Sequence, residues 1–194
     1  MTARERRLEA PHRRGAGARP RAVERVGVLA YRAAAGALRV VPVGLAHGAM
    51  GTLTRGSYLA TPERRRWANA NFGHVLGLPP DDPRVRRLAL RAFREYGRYL
   101  VDLMRLPSLP PEEIDRLAGD LDAHEAELRR IHDGAQGGGL ILAAGHLGSN
   151  EAIAAHIARR GLPISVVADD SSFPELFEHL RRQRAEWGVT LIPW

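Results

Sequence analysis

The order of apolar and polar positions divides the chain into a long helical stretch and a shorter part that switches to strand-like runs. Thr61-Pro62-Glu63 offers a capping residue with proline at the first helical position. It predicts a helix over 62–76, stopped at Gly77 with Pro79 and Pro80 behind it. Asp82-Pro83 opens a second helix running to about Arg105, in which Leu88, Phe93, Tyr96, Leu100, Leu103 and Met104 recur at helical spacing and predict a core stripe. Shorter helices are predicted over 111–117 and 122–133, followed by a flexible turn from Gly134 to Gly139. Then the period changes. LILAAG (140–145), ISVVAD (164–169) and VTLIP (189–193) read as strands. Between them lie helices from Asn150 to Arg160, stopped by Gly161, and from Pro174 to Trp187, stopped by Gly188. Strand–helix–strand–helix–strand implies parallel pairing with crossover helices. The expected class is α/β: a helical N-terminal half followed by an open, mostly parallel sheet. No internal repeat is present. Three parallel strands with two faces to cover make a thin sheet, so a fragment or a truncated reading frame is expected.

Residues 26–51 are apolar enough to reach across a bilayer if helical, with Pro42 as a break. Arg25, Arg32 and Arg39 fall seven apart on one helical face. Each would cost ~2.5–3.5 kcal/mol at mid-membrane depth. A helix lying in the membrane interface, arginines toward headgroups, is the favoured reading. A helix packed on the rest of the protein and a spanning helix are its alternatives. The expected organisation is a basic flexible tail over 1–25, a membrane-interface helical segment over 26–60 and a main domain over 61–194. That domain divides into a helical part (61–134) and an α/β part (137–194).

Composition changes this picture in three ways. The hydrophobic fraction of 44% can supply a core. The absence of cysteine excludes disulfides and thiolate metal sites. The formal charge of +7 is carried entirely by arginine, much of it in residues 4–25, which suggests anionic partners such as membrane headgroups or phosphorylated substrates. An arginine- and alanine-rich base composition would produce the same excess. No apolar segment with a small-residue cleavage site follows the basic tail, so no secretory signal is read. Nucleic acid is not an expected partner: aromatics are only 6% and no recognition motif is present.

The chemistry concentrates in GHLGSNE (145–151). In open α/β sheets ligands bind beyond the carboxyl ends of the strands, and His146 directly follows the predicted strand LILAAG. On one continuous helix, residues five apart diverge by roughly 140°, so His146 and Glu151 meet only across a strand–loop–helix junction. Gly145 and Gly148 permit that turn, and Ser149 or Asn150 can cap the helix. A carboxylate accepting from one imidazole nitrogen leaves the other free to take a proton. The helix N-terminus and the glycine-rich backbone before it can stabilise a developing oxyanion. This is a general base with an orienting carboxylate, suited to deprotonating a hydroxyl that attacks an acyl group. The alternative is a capping histidine beside an acid favoured by the helix dipole.

Other chemistry is weaker. A non-catalytic phosphate- or nucleotide-binding module lacks support, because GGGLILAAGHLGS has neither G-x-G-x-x-G spacing nor a Walker lysine. His47, His74, His124, His132, His156 and His179 read as structural or surface residues. A metal pair of His146 with His156 is not favoured, and no metal site is expected. Asp169-Asp170 ends the second strand at the same sheet edge as His146, as a turn pair or a secondary polar element.

GHLGSNE is similar to the G-H-F-G-N-W-E block of the lipid A lauroyl/myristoyl acyltransferase family. Phosphatidylinositol mannoside acyltransferases carry the same block, and both belong to the lysophospholipid acyltransferase-like group. RRRWANANFGHVLG (64–77) resembles that family's early helix with R-x-x-x-x-N. AFREYGRYLVDLMRLP (92–107) resembles its F-x-x-x-x-R-x-x-x-(D/E)-x-x-R-L helix, and 166–193 resembles the strand, helix and G-V-x-x-I-P strand that follow the block. The resemblance spans most of 22–194. It implies a membrane-associated O-acyltransferase with His146 as catalytic base and Glu151 as its acidic partner. Gly145, Gly148, Ser149 and Asn150 would support substrate. It further implies acyl-CoA or acyl-carrier protein as thioester co-substrate with no cofactor, a glycolipid or lysophospholipid acceptor, and an anionic membrane surface as partner. The expected location is the cytoplasmic face of the inner membrane, peripheral or monotopic. Leu147 stands where the family has an aromatic residue, and Asn150 or its neighbour Ser149 where it has tryptophan. The family continues in further blocks, so a C-terminally truncated member is expected.

Overall fold

The computed structural model describes residues 22–119, 121–135, 139–143, 145, 148–169 and 173–193. The elements are α1 (Ala22–Ala37), α2 (Val43–Ala60), α3 (Pro62–Leu76), α4 (Pro83–Arg105), a 3-10 turn (Leu106–Ser108), α5 (Pro111–Ala118), α6 (Asp122–Gly134), α7 (Asn150–Arg159), β1 (Ile164–Ala168), α8 (Pro174–Ala185) and β2 (Val189–Pro193). They form two compact units. One comprises residues 33–110 with 145–150, the other residues up to 32 with 111–144 and 151–194. Among the described residues no helix is long and apolar enough to cross a membrane.

The first unit is a helical cluster around the crossing of α2 and α4. Val85, Ala89, Gly97 and Val101 are the buried positions of α4. With half-buried Phe93 between them they form one row spaced by four, the ridge that packs into a neighbouring helix's groove. Of the expected stripe, Phe93 lies in this row, Leu88, Leu100, Leu103 and Met104 are half-buried beside it, and Tyr96 is exposed. The crossing is close. A Cβ on Gly97 would lie 2.5 Å from Thr54 Oγ1 and 2.6 Å from the Met50 carbonyl oxygen. Small residues admit the partner backbone there.

Polar ties complete this unit. The buried Tyr58 hydroxyl donates to Asn69 Oδ1 at 2.8 Å. The Tyr58 ring packs on Phe93 at 5.2 Å between centroids. His47 Nε2 lies 2.7 Å from Asp102 Oδ1. Arg105 donates to the carbonyls of Leu38 and Val41, each at 3.1 Å, holding the turn between α1 and α2. Asn69, Asp102 and Arg105 are positions of the two helical motifs, and each ties separate segments together.

In the second unit β1 and β2 pair in parallel, Ile164 opposite Val189 through Ala168 opposite Pro193, with α8 as the connection. Val189 and Leu191 are buried, as are Ala152, Ala155, Ile157, Leu162 and Trp187 of the same unit. The expected strand over 140–145 is not formed among the described residues. Residues 139–143 and 145 carry no ladder, the sheet has two strands, and Ile141 is 95% exposed. A strand requires a partner backbone as well as apolar side chains. The run LILA has the composition and lacks the pairing.

The first half of α1 packs on α8. Glu24 accepts from the Glu175 backbone N–H at 2.7 Å, within the first turn of α8. Arg25 pairs with Glu175 at 3.3 Å, and the Tyr31 ring meets His179 edge-on at 5.6 Å. The arginine stripe is therefore partly engaged by protein, as in the packed alternative.

Candidate functional site

The glutamate singled out by its spacing lies where the pattern placed it. Asn150 is the first residue of α7, and Glu151 stands in its first turn. Gly148 precedes them at φ 71°, a left-handed conformation that glycine adopts without strain. Gly145 and Gly148 are exposed, and Ser149 and Asn150 half-buried. His146 and Leu147 lie outside the described residues, as does Asp170; Asp169 is exposed just after β1.

The Glu151 carboxylate accepts a hydrogen bond from Arg184 Nη2 at 3.0 Å. The two side chains are only 11% and 17% exposed. Arg184 comes from the last turn of α8. Nothing in the H-x-x-x-x-E spacing announces it. The only signal is the basic run RRQR (181–184), in which a single arginine turns inward. Tyr31 belongs to the same electrostatic neighbourhood. Burial pushes its phenol above the ordinary value, the Arg184 charge opposes this, and the Glu151 charge adds to it. Among the described residues, the Tyr31 hydroxyl and Gln183 Oε1 are buried without a hydrogen-bond partner.

Beside Tyr31, Val28, Arg32, Pro174, Glu175, Glu178, His179 and Arg182 line a groove of about 360 Å³. Burial holds the His179 imidazole below its ordinary value, reinforced by the charges of Arg32 and Arg182. Glu178 is lowered to about 2, chiefly by the hydrogen bond from Arg181, with Arg182 adding to it against burial.

His156, read from sequence as structural or surface, is a buried junction. Its Nδ1 lies 2.7 Å from Asp115 Oδ1, and Arg160 Nη1 lies 2.7 Å from its Nε2. Arginine can only donate, so Nε2 accepts and Nδ1–H donates to Asp115. Arg160 also donates to Glu125 at 2.7 Å, and Arg129 pairs with the same carboxylate at 2.9 Å. Side chains of α5, α6 and α7 thus meet at one imidazole. Among the described residues no group of three or more His, Asp or Glu could hold a metal ion.

A nearly buried carboxylate at a helix N-terminus, anchored by arginine, is a suitable acceptor for an imidazole N–H. Comparison with known proteins adds a family. The model of the family described as bacterial lipid A biosynthesis acyltransferase matches residues 18–194. No curated protein matches the sequence.

Proposed function

The chain belongs to the bacterial lipid A biosynthesis acyltransferase family, and on that footing we propose that it is a membrane-associated O-acyltransferase. It moves a fatty acyl chain from a thioester donor, acyl-CoA or acyl-carrier protein, to a hydroxyl of a glycolipid or lysophospholipid. The single observation that carries this reading is the family match over 18–194, inside which Asn150 and Glu151 of the GHLGSNE block open α7. The anchoring of Glu151 by Arg184 supports it.

In this mechanism His146 Nε2 or Nδ1, whichever Glu151 leaves unprotonated, takes the proton of the acceptor hydroxyl as its oxygen attacks the thioester carbonyl. The tetrahedral intermediate collapses with cleavage of the C–S bond. The imidazolium returns its proton to the departing thiolate. Glu151 holds the imidazole in the required tautomer, and backbone N–H groups from Gly148 to Asn150 face the oxyanion. The enzyme works at the cytoplasmic face of the inner membrane, peripherally or monotopically.

The test is release of free thiol from an acyl thioester, measured with a lipid acceptor. His146→Ala is expected to abolish acceptor-dependent release while the circular dichroism spectrum is retained. Unchanged turnover in that variant overturns the reading.

A further inference from the structure

Helix α2 is uncharged over almost its whole surface. Arg55 is its one permanently charged side chain, and it contains no carboxylate. One side is accounted for: Ala46, Gly51 and Tyr58 are buried, and His47 faces Asp102. At 100° per residue, Leu45, Gly48, Ala49, Thr52, Gly56 and Leu59 follow one another along the opposite side. All six are exposed, Leu45 by 68% and Leu59 by 55%, and Leu53 at the flank by 66%. Val40, in the turn before α2, is 84% exposed. The neighbouring α4 is different, since its exposed positions include Arg84, Arg91, Arg94, Glu95 and Arg98. A helix apolar on both sides requires cover on both.

The charges beside this face are positive. Arg55 flanks it, and Arg65 donates to the Leu59 carbonyl at 2.9 Å, setting a guanidinium at its C-terminal end. The chain then continues through Arg64-Arg65-Arg66 to Trp67, an aromatic side chain 68% exposed. Apolar side chains rimmed by arginine, with an exposed tryptophan close by in the chain, are the pattern of an element seated at headgroup level.

We propose that the outward face of α2, centred on Leu45, Leu53 and Leu59 and rimmed by Arg55 and Arg65, docks on an anionic lipid surface. The face lies wholly within the unit of residues 33–110. It narrows the membrane contact expected over 26–60 to one face of α2, since part of the arginine stripe of α1 is engaged on α8. The choice of a bilayer as occupant rests on the acyltransferase reading.

The test is co-sedimentation of the full chain with vesicles of phosphatidylglycerol and phosphatidylcholine, without acyl donor or acceptor. The wild type is expected to bind the anionic vesicles and to bind pure phosphatidylcholine weakly. Leu45→Asp and Leu53→Asp are each expected to weaken binding at least about tenfold. Arg55→Gln should weaken binding to the anionic vesicles alone. Val75→Asp, an exposed change on α3, should bind as wild type. Thermal melts identify any variant that fails to fold, and Leu45→Ser with Leu53→Ser then replaces it. A wild type that binds no vesicle overturns the proposal, as does undiminished binding by the folded Leu45 and Leu53 variants. So does a wild-type dimer that these variants dissociate without loss of vesicle binding, which would give the face to a second copy. Because no chemistry is read, failure here leaves the His146 test of acyl transfer untouched.

Discussion

Arg184 donates to Glu151 at 3.0 Å across the gap between α8 and α7, with both side chains largely shielded from water. Removing the arginine takes a charged hydrogen-bond donor from a shielded carboxylate. Arg184→Ala is expected to lose on the order of 3 kcal/mol in urea unfolding. Arg184→Lys should recover part of this, since lysine restores the charge without the planar fork. If Glu151 orients His146, acyl transfer should fall in the same order, Arg184→Ala below Arg184→Lys.

Gly97 sits where α4 meets α2 with no space for a methyl group. The nearest atoms to an added Cβ include the Met50 carbonyl oxygen and carbon at 2.6 and 2.8 Å, which are backbone and cannot rotate away. Gly97→Ala is expected to destabilise by about 1–3 kcal/mol or more in chemical denaturation. Gly56→Ala, on the same helix pair with nothing within 4 Å, should instead stabilise by roughly 0.5–1 kcal/mol.

Tyr58 and Asn69 are joined by a buried hydrogen bond of 2.8 Å. Tyr58→Phe keeps the ring contact with Phe93 and strands the Asn69 acceptor. A loss of about 1–3 kcal/mol in urea unfolding is expected. A loss near zero would mean that Asn69 finds another donor.

Glu178 binds Arg181 and Arg182 at the surface, which lowers its carboxyl from 4.5 to about 2. A depressed acid stabilises the fold above its unfolded value and loses that contribution as pH falls through the folded one. The melting-temperature gap between wild type and Glu178→Gln should therefore be full at neutral pH and shrink from about pH 4.5 toward pH 2. Added salt should narrow it at neutral pH, because these side chains are partly solvated.

Most helices were legible in local chemistry. Thr61-Pro62 and Asp82-Pro83 mark starts that the structure reproduces, Asp82 Oδ1 accepting from the Arg84 N–H at 2.7 Å. Glu151 could be placed in the first turn of α7 because glycines and a capping residue precede it. The apolar run at 140–145 reads as a strand in the sequence, yet its described residues 140–143 and 145 pair with no strand, since nothing within a run states whether a partner strand will lie beside it.

The sequence by itself determined where helices begin and stop, that β1 and β2 run parallel, and that a glutamate opens α7. These follow from dihedral preference, capping and the length of a crossover, all interactions between near neighbours. Only the tertiary structure decided that Arg184 reaches Glu151, that His156 joins Asp115 and Arg160, and that Gly97 is where the α2 backbone comes closest to α4. Such choices depend on which backbone arrives at which side chain. That is set by the packing of elements far apart in the chain, and composition along one helix does not record it.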